Sequence, residues 1–172
     1  IEIIISKRNS KRKEKNKIIN KLKNDEKKIN VNSFKNFEKR IKESKLKLKA
    51  FVEKNRPIAC YGASTKGNIV LNYNQLSYKQ VEYICDANKK KYGKFTPGSN
   101  IKIISKKKMR KLNPKFLLVL IWSFRSEIIK QEINYLMNGG NLVFHLPKFH
   151  MINKKNYRKY LNKSFKELSY KY

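Results

Sequence analysis

Apolar positions along the chain follow two periods, and the change from one to the other outlines its organisation. Phe34, Phe37, Ile41, Leu48, Phe51 and Val52 recur at helical spacing. Ser33 stands as an N-cap and Pro57 lies beyond the end, which predicts an amphipathic helix of about five turns. After it, short apolar runs alternate with helical stretches. "PIACY" (57–61) reads as a buried strand, a glycine turn leads into a helix over about 66–74, and "VEYICD" (81–86) reads as the next strand. A loop punctuated by Gly93 and Pro97-Gly98 precedes a short strand at "IKII" and a short helix over 106–112. "PKFLLVLIW" (114–122) is the most apolar strand, and Ser123 then caps a helix whose stripe includes Ile128, Ile129, Ile133, Leu136 and Met137. "NGG" ends that helix and "NLVFHLP" is the final strand.

Strands separated by helices imply parallel pairing through right-handed crossovers. The expected fold is therefore α/β, a Rossmann-like three-layer domain with a mainly parallel sheet, preceded by the long amphipathic helix. It occupies residues 33–152. Residues 1–32 comprise an opening strand, "IEIII", and a basic, partly helical connector; residues 153–172 form a basic aromatic tail. The opening strand has no hairpin partner or preceding element, so the chain reads as a C-terminal piece of something longer.

Composition changes this picture in two places. With 172 residues, 40% of them hydrophobic, the chain has enough apolar surface for a core. Lys and Arg number 43 against 12 Asp and Glu, a net charge of +31. One reading is a polyanion partner, as in a basic RNA-binding module. The other is A/T-rich coding, since Lys, Asn and Ile dominate together and the basic residues are scattered through nearly every segment. Nonspecific polyanion binding follows from either. The tail interleaves Tyr157, Tyr160, Phe165, Tyr170 and Tyr172 with basic residues, a pattern that suits base stacking or a short helix packed on the domain. Cys60 and Cys85 lack CxxC spacing and read as buried reduced thiols of a cytoplasmic protein. No apolar run approaches the roughly 18 residues of a membrane span, so no insertion is expected.

The chemistry concentrates in "YGASTKGN" (61–68). Gly62 and Gly67 give G-x-x-x-x-G, but Asn68 and Ile69 stand where a P-loop needs Lys and Ser or Thr. The dinucleotide pattern G-x-G-x-x-G fails at its second glycine, where Ser64 stands, although Asp86 lies about twenty residues on at the end of the next strand. What remains is a strand-to-helix anion site, with Lys66 as a point charge and Ser64, Thr65 and Asn68 as hydrogen-bonding partners. The alternative is that Gly62 only permits a tight turn and Lys66 is one more solvated lysine. Trp122, at a strand's carboxyl end, either stacks on a base or sugar or fills the core. Asp86 either bonds a hydroxyl or stabilises the turn before Asn88. His145 and His150 have no carboxylate or cysteine at ligand spacing, so no metal is assigned. No Ser/His/Asp set, carboxylate pair or activated cysteine can be assembled, so no catalytic residue is assigned either.

Several separated motifs resemble one family. Gly62, Ala63, Lys66, Gly67, Asn68, Leu71 and Asn72, then Asp86 and Asn88, Gly93 with Pro97 and Gly98, Trp122, and Gly139 with Gly140 fall in the order and spacing of the C-terminal domain of S-adenosylmethionine-dependent sugar C-methyltransferases. The resemblance runs from about Phe34 to Phe149. Lys89 and Ile121 stand where that family places proline, and His145 and Lys148 where it places a proline and an acidic residue. The resemblance implies a parent in which S-adenosylmethionine and the catalytic base lie in a preceding methyltransferase domain, whose last strand would be "IEIII". This chain would bind no cofactor itself and be inactive alone. Its role would be to bind a nucleotide-linked sugar, with Gly62, Ala63, Ser64, Lys66, Gly67 and Asn68 on the phosphate and Asp86, Asn88, Pro97, Gly98 and Trp122 as further contacts. A nucleotide-sugar-binding domain without catalysis is the remaining alternative.

Overall fold

The computed structural model describes residues 16–161, together with Ile5, Lys7 and residues 9–11. The expected opening strand and the tail aromatics Phe165, Tyr170 and Tyr172 lie outside the described residues. The chain divides into two compact units, Ile1–Lys39 and Arg40–Tyr172.

Helix α1 (Asn16–Glu26) realises the partly helical connector and buries none of its residues. Helix α2 (Val31–Asn55) starts earlier than the sequence predicts. Asn30 takes the cap: its Oδ1 accepts the Ser33 N–H at 3.2 Å while Ser33 Oγ accepts the Asn30 N–H at 3.3 Å. Ser33 is thus the third helical residue of a reciprocal capping box. Along the predicted stripe, Leu48 and Val52 are fully buried, whereas Phe34 and Phe37, in the first unit, are more than half exposed.

The second unit continues with β1 (Ile58–Tyr61), α3 (Thr65–Tyr73), β2 (Val81–Asp86), β3 (Ile103–Ser105), α4 (Lys106–Leu112), β4 (Phe116–Val119), α5 (Arg125–Gln131), α6 (Ile133–Met137), β5 (Asn141–Phe144), β6 (His150–Ile152) and α7 (Tyr157–Leu161). The sheet order is β3-β2-β1-β4-β5-β6. The first five strands pair in parallel and β6 runs antiparallel at the edge. This is the doubly wound Rossmann arrangement. Strand alternation sorts the core: Ile58, Cys60, Ile84 and Leu118 face Leu48, Val52 and Leu71 of α2 and α3. Ala59, Tyr61, Cys85, Leu117 and Val119 face Met109, Ile128, Ile129 and Leu136 of α4, α5 and α6.

Three expectations are corrected. Ser123 caps nothing, because it lies within a 3₁₀ turn over Trp122–Phe124 and α5 begins at Arg125 without a side-chain cap. The single helix predicted after it is broken at Glu132, whose fully buried carboxylate turns to meet Arg110 Nε and Nη2, both at 2.8 Å. The strand expected to be the last is not the last, since β6 follows it and pairs with β5 at the antiparallel edge. At the start of β6, His150 stacks between Phe144 and Tyr160, each at 5.1 Å, so Tyr160 is committed to packing. No described helix is long and apolar enough to cross a membrane.

Candidate functional site

In this strand order the crossovers leave in opposite directions from β1 and β4, and a crevice opens between the carboxyl ends of those two strands. The glycine turn forms one wall. Gly62 holds φ +95°, and a Cβ there would come within 2.7 Å of Ile121 Cγ2. At Gly67 a Cβ would meet the Gly62 carbonyl oxygen at 2.8 Å and Leu120 Cβ at 3.1 Å. These two residues therefore perform the turn-making and helix-packing tasks of the first and third glycines of a dinucleotide loop.

Ser64, in the middle position, does something else. Its Oγ accepts the Gly67 N–H at 3.1 Å and its carbonyl accepts the Asn68 N–H at 2.9 Å, which caps α3. The N–H groups of Thr65 and Lys66, also in the first turn, have no hydrogen-bond partner among the described residues. The donors left at this helix N-terminus are thus those of Thr65 and Lys66, rather than those of Gly67 and Asn68. Asn68 Oδ1 is buried without a partner.

Residues 64–66 and 120–124 enclose a cleft of about 260 Å³ between the turn and the end of β4. Its rim carries the exposed Lys66, while Leu120, Ile121, Trp122 and Phe124 give it an apolar wall. Such a cleft suits a ligand with an anionic part and a flat or apolar part. Trp122 is half-buried, so it meets both sequence readings: it packs on both core clusters and faces the cleft. Its ring stands edge-on to His145, with centroids 5.4 Å apart. His145 is buried at the end of β5, and neither ring nitrogen has a hydrogen-bond partner among the described residues. Burial pushes its pKa down to about 4, so the ring is neutral at pH 7.

The other predicted contacts do not line this cleft. Asp86 Oδ1 accepts the Asn88 N–H at 2.8 Å, and Asn88 Oδ1 accepts the Lys90 N–H at 3.0 Å. Asp86 Oδ2 receives Lys91 Nζ at 3.3 Å, and the same ammonium donates to the Ala63 carbonyl at 2.8 Å. Pro97 accepts Asn72 Nδ2 through its carbonyl at 3.1 Å, and Gly98 lies flat on the Asn72 amide, where a Cβ would collide. The Pro97-Gly98 loop thereby fastens to the side of α3.

Sequence reasoning missed Lys91, Phe124 and the pair Arg110–Glu132. Lys91 is one of three consecutive lysines, indistinguishable by type, and Arg110 and Glu132 are joined only by the packing of α4 on the α5–α6 break. Cys60 and Cys85 are buried on adjacent strands, where desolvation pushes both thiols up; they are inert. Two features that a dinucleotide uses in a Rossmann crevice, close backbone approach at the second loop position and a free acid at the end of β2, differ here: Ser64 stands at the first, and Lys91 occupies the Asp86 carboxylate at the second.

The model of the C-methyltransferase C-terminal domain family matches residues 1–147. A curated relative, the C-methyltransferase NovU of Streptomyces niveus, is 33% identical over 101 residues, covering 59% of this chain and 24% of that protein. The match thus spans about a quarter of that relative's length.

Proposed function

The chain belongs to the C-methyltransferase C-terminal domain family, and from that premise we propose that it binds the nucleotide-linked sugar on which an S-adenosylmethionine-dependent C-methyltransferase acts. Cofactor binding and methyl transfer belong to a separate methyltransferase domain of the parent enzyme. The observation that carries this reading is the cleft at the strand-order reversal, which Thr65 and Lys66, whose N–H groups have no partner among the described residues, line opposite an apolar wall.

In this role the Thr65 and Lys66 N–H groups and the Lys66 ammonium hold the diphosphate, helped by the positive end of α3. Gly62 and Gly67 let the backbone come close. Trp122 and Phe124 cover the base or the sugar ring, and exclude water from one side of the ligand. The domain positions its ligand and moves no proton.

Calorimetric titration of the chain tests this. A saturable complex with a nucleoside-diphosphate sugar, competed by the free nucleoside diphosphate, is expected, with no saturable binding of S-adenosylmethionine. A saturable cofactor complex together with no nucleotide-sugar binding overturns the reading.

A further inference from the structure

The crevice at the end of β1 has a second half, between β1 and β2, and a single side chain spans it. Parallel pairing sets Tyr61 opposite Cys85, so Asp86 is the next residue along, beside the start of the glycine turn. In doubly wound sheets an acid at that place bonds the ribose hydroxyls of a dinucleotide. Here the Asp86 carboxylate is only 12% exposed, and both its oxygens are in use. Lys91 reaches back from the loop after β2, over a 3₁₀ turn at Lys89–Lys91, and joins Asp86 Oδ2 to the Ala63 carbonyl. A ribose approaching Asp86 must displace an ammonium that already holds a carboxylate and a carbonyl together.

We propose that Lys91 sets the ligand specificity of this crevice: it clasps Ala63 to Asp86, closes the β1–β2 half, and makes the domain reject dinucleotides and adenosyl compounds while the β1–β4 half stays open. The proposal rests on reading the crevice as ligand-bearing, and it explains how a domain with a Rossmann turn avoids competing for the cofactor of a neighbouring domain. Ser64 reinforces the effect, since its Oγ takes the Gly67 N–H. The neighbouring Lys89 and Lys90 side chains make no such contact among the described residues and serve as controls. Lys91 itself is 37% exposed, so water can replace its ammonium when the side chain is shortened.

The test is binding of NAD⁺ to the 172-residue chain by ligand-observed NMR and calorimetry. The wild type and Lys90→Ala should show only weak, salt-suppressed attraction. Lys91→Ala should raise NAD⁺ affinity at least about tenfold, the worth of a charge-assisted hydrogen bond donated by a ribose hydroxyl to the Asp86 carboxylate. Asp86→Asn in that background should remove the gain, and Lys91→Arg should keep the rejection. If Lys91→Ala does not melt cooperatively, Lys91→Met, which keeps the packed stem, decides on the same readout. The proposal is overturned if the folded variant binds NAD⁺ no better than the wild type, or if the wild type already binds it through Asp86. Neither result touches nucleotide-sugar affinity, which a Lys66→Ala variant would probe separately on the other side of the turn.

Discussion

On its β4 side the end of β1 meets an apolar wall, an exposed lysine and two N–H groups without a partner among the described residues. On its β2 side the same turn is tied down by an ammonium, a carboxylate and a carbonyl. Both sides descend from one short segment, residues 62–67, so the turn alone does not decide what binds. The difference lies in what the neighbouring strand ends bring: Trp122 and Phe124 after β4 line a cleft, whereas Asp86 at the end of β2 and Lys91 beyond it neutralise each other. A glycine turn thus defines an anion site only together with the residues opposite it.

Four perturbations separate the two sides, taken in order of decreasing size. The first is acid. His145 supports Trp122 on the open side, and its folded pKa of about 4 lies below the ordinary 6.5. The unfolded chain therefore binds a proton that the folded chain refuses, and stability falls as pH drops from 6.5 towards 4. The loss from this group is roughly 3 kcal/mol. His150, also lowered by burial, acts in the same direction. Urea unfolding of wild type and His145→Leu at pH 7 and pH 4.5 should show a markedly flatter dependence for the variant; equal slopes would remove His145 as the cause.

Gly67→Val comes second. Its Cβ would press on the Gly62 carbonyl, which is backbone and cannot turn away, and on Leu120 in the cleft wall. Overpacking of this kind costs about 2 kcal/mol, and nucleotide-sugar binding should be lost with it. Thermal melts and titration of the same preparation check both, and an unchanged melt contradicts the packing role.

Ser64→Ala is third: loss of the α3 cap costs about 1 kcal/mol in unfolding free energy. On the closed side, Lys91→Ala should cost less than about 1 kcal/mol, because a part-exposed ion pair contributes little to folding. A loss as large as that for Gly67→Val would make Lys91 a structural strut rather than a gate.

Much of this architecture was legible in the sequence. β2 and α4 span the ranges read for them, 81–86 and 106–112, and the structure shows what closes α4 at each end: Ser105 Oγ accepts the Lys108 N–H at 3.1 Å, and Asn113 ends the helix at φ +43°. The glycines of the turn were readable because a positive φ and a close helix approach each demand the missing Cβ. Strand β6 was not readable, since His150–Ile152 is three residues long and mixed in polarity, and it is held by pairing with β5 rather than by its own pattern. Lys91 was hidden for a different reason. In a chain of charge +31 one lysine carries no information until its partners are placed. The same excess makes weak, salt-sensitive RNA binding expected whatever the evolved ligand, so any test of the cleft has to be separated from the general field.

Trp122 allows that separation, because it is the chain's single tryptophan and it lines the cleft. Its fluorescence, titrated with a nucleoside-diphosphate sugar at low and at physiological salt, reports occupancy of the open side directly. Emission should change saturably, with affinity reduced about ten- to hundredfold in Lys66→Ala and barely altered in Lys107→Ala, whose lysine is exposed on α4. Emission that never responds, or equal small losses from both lysine variants that vanish with salt, would contradict this reading of the cleft.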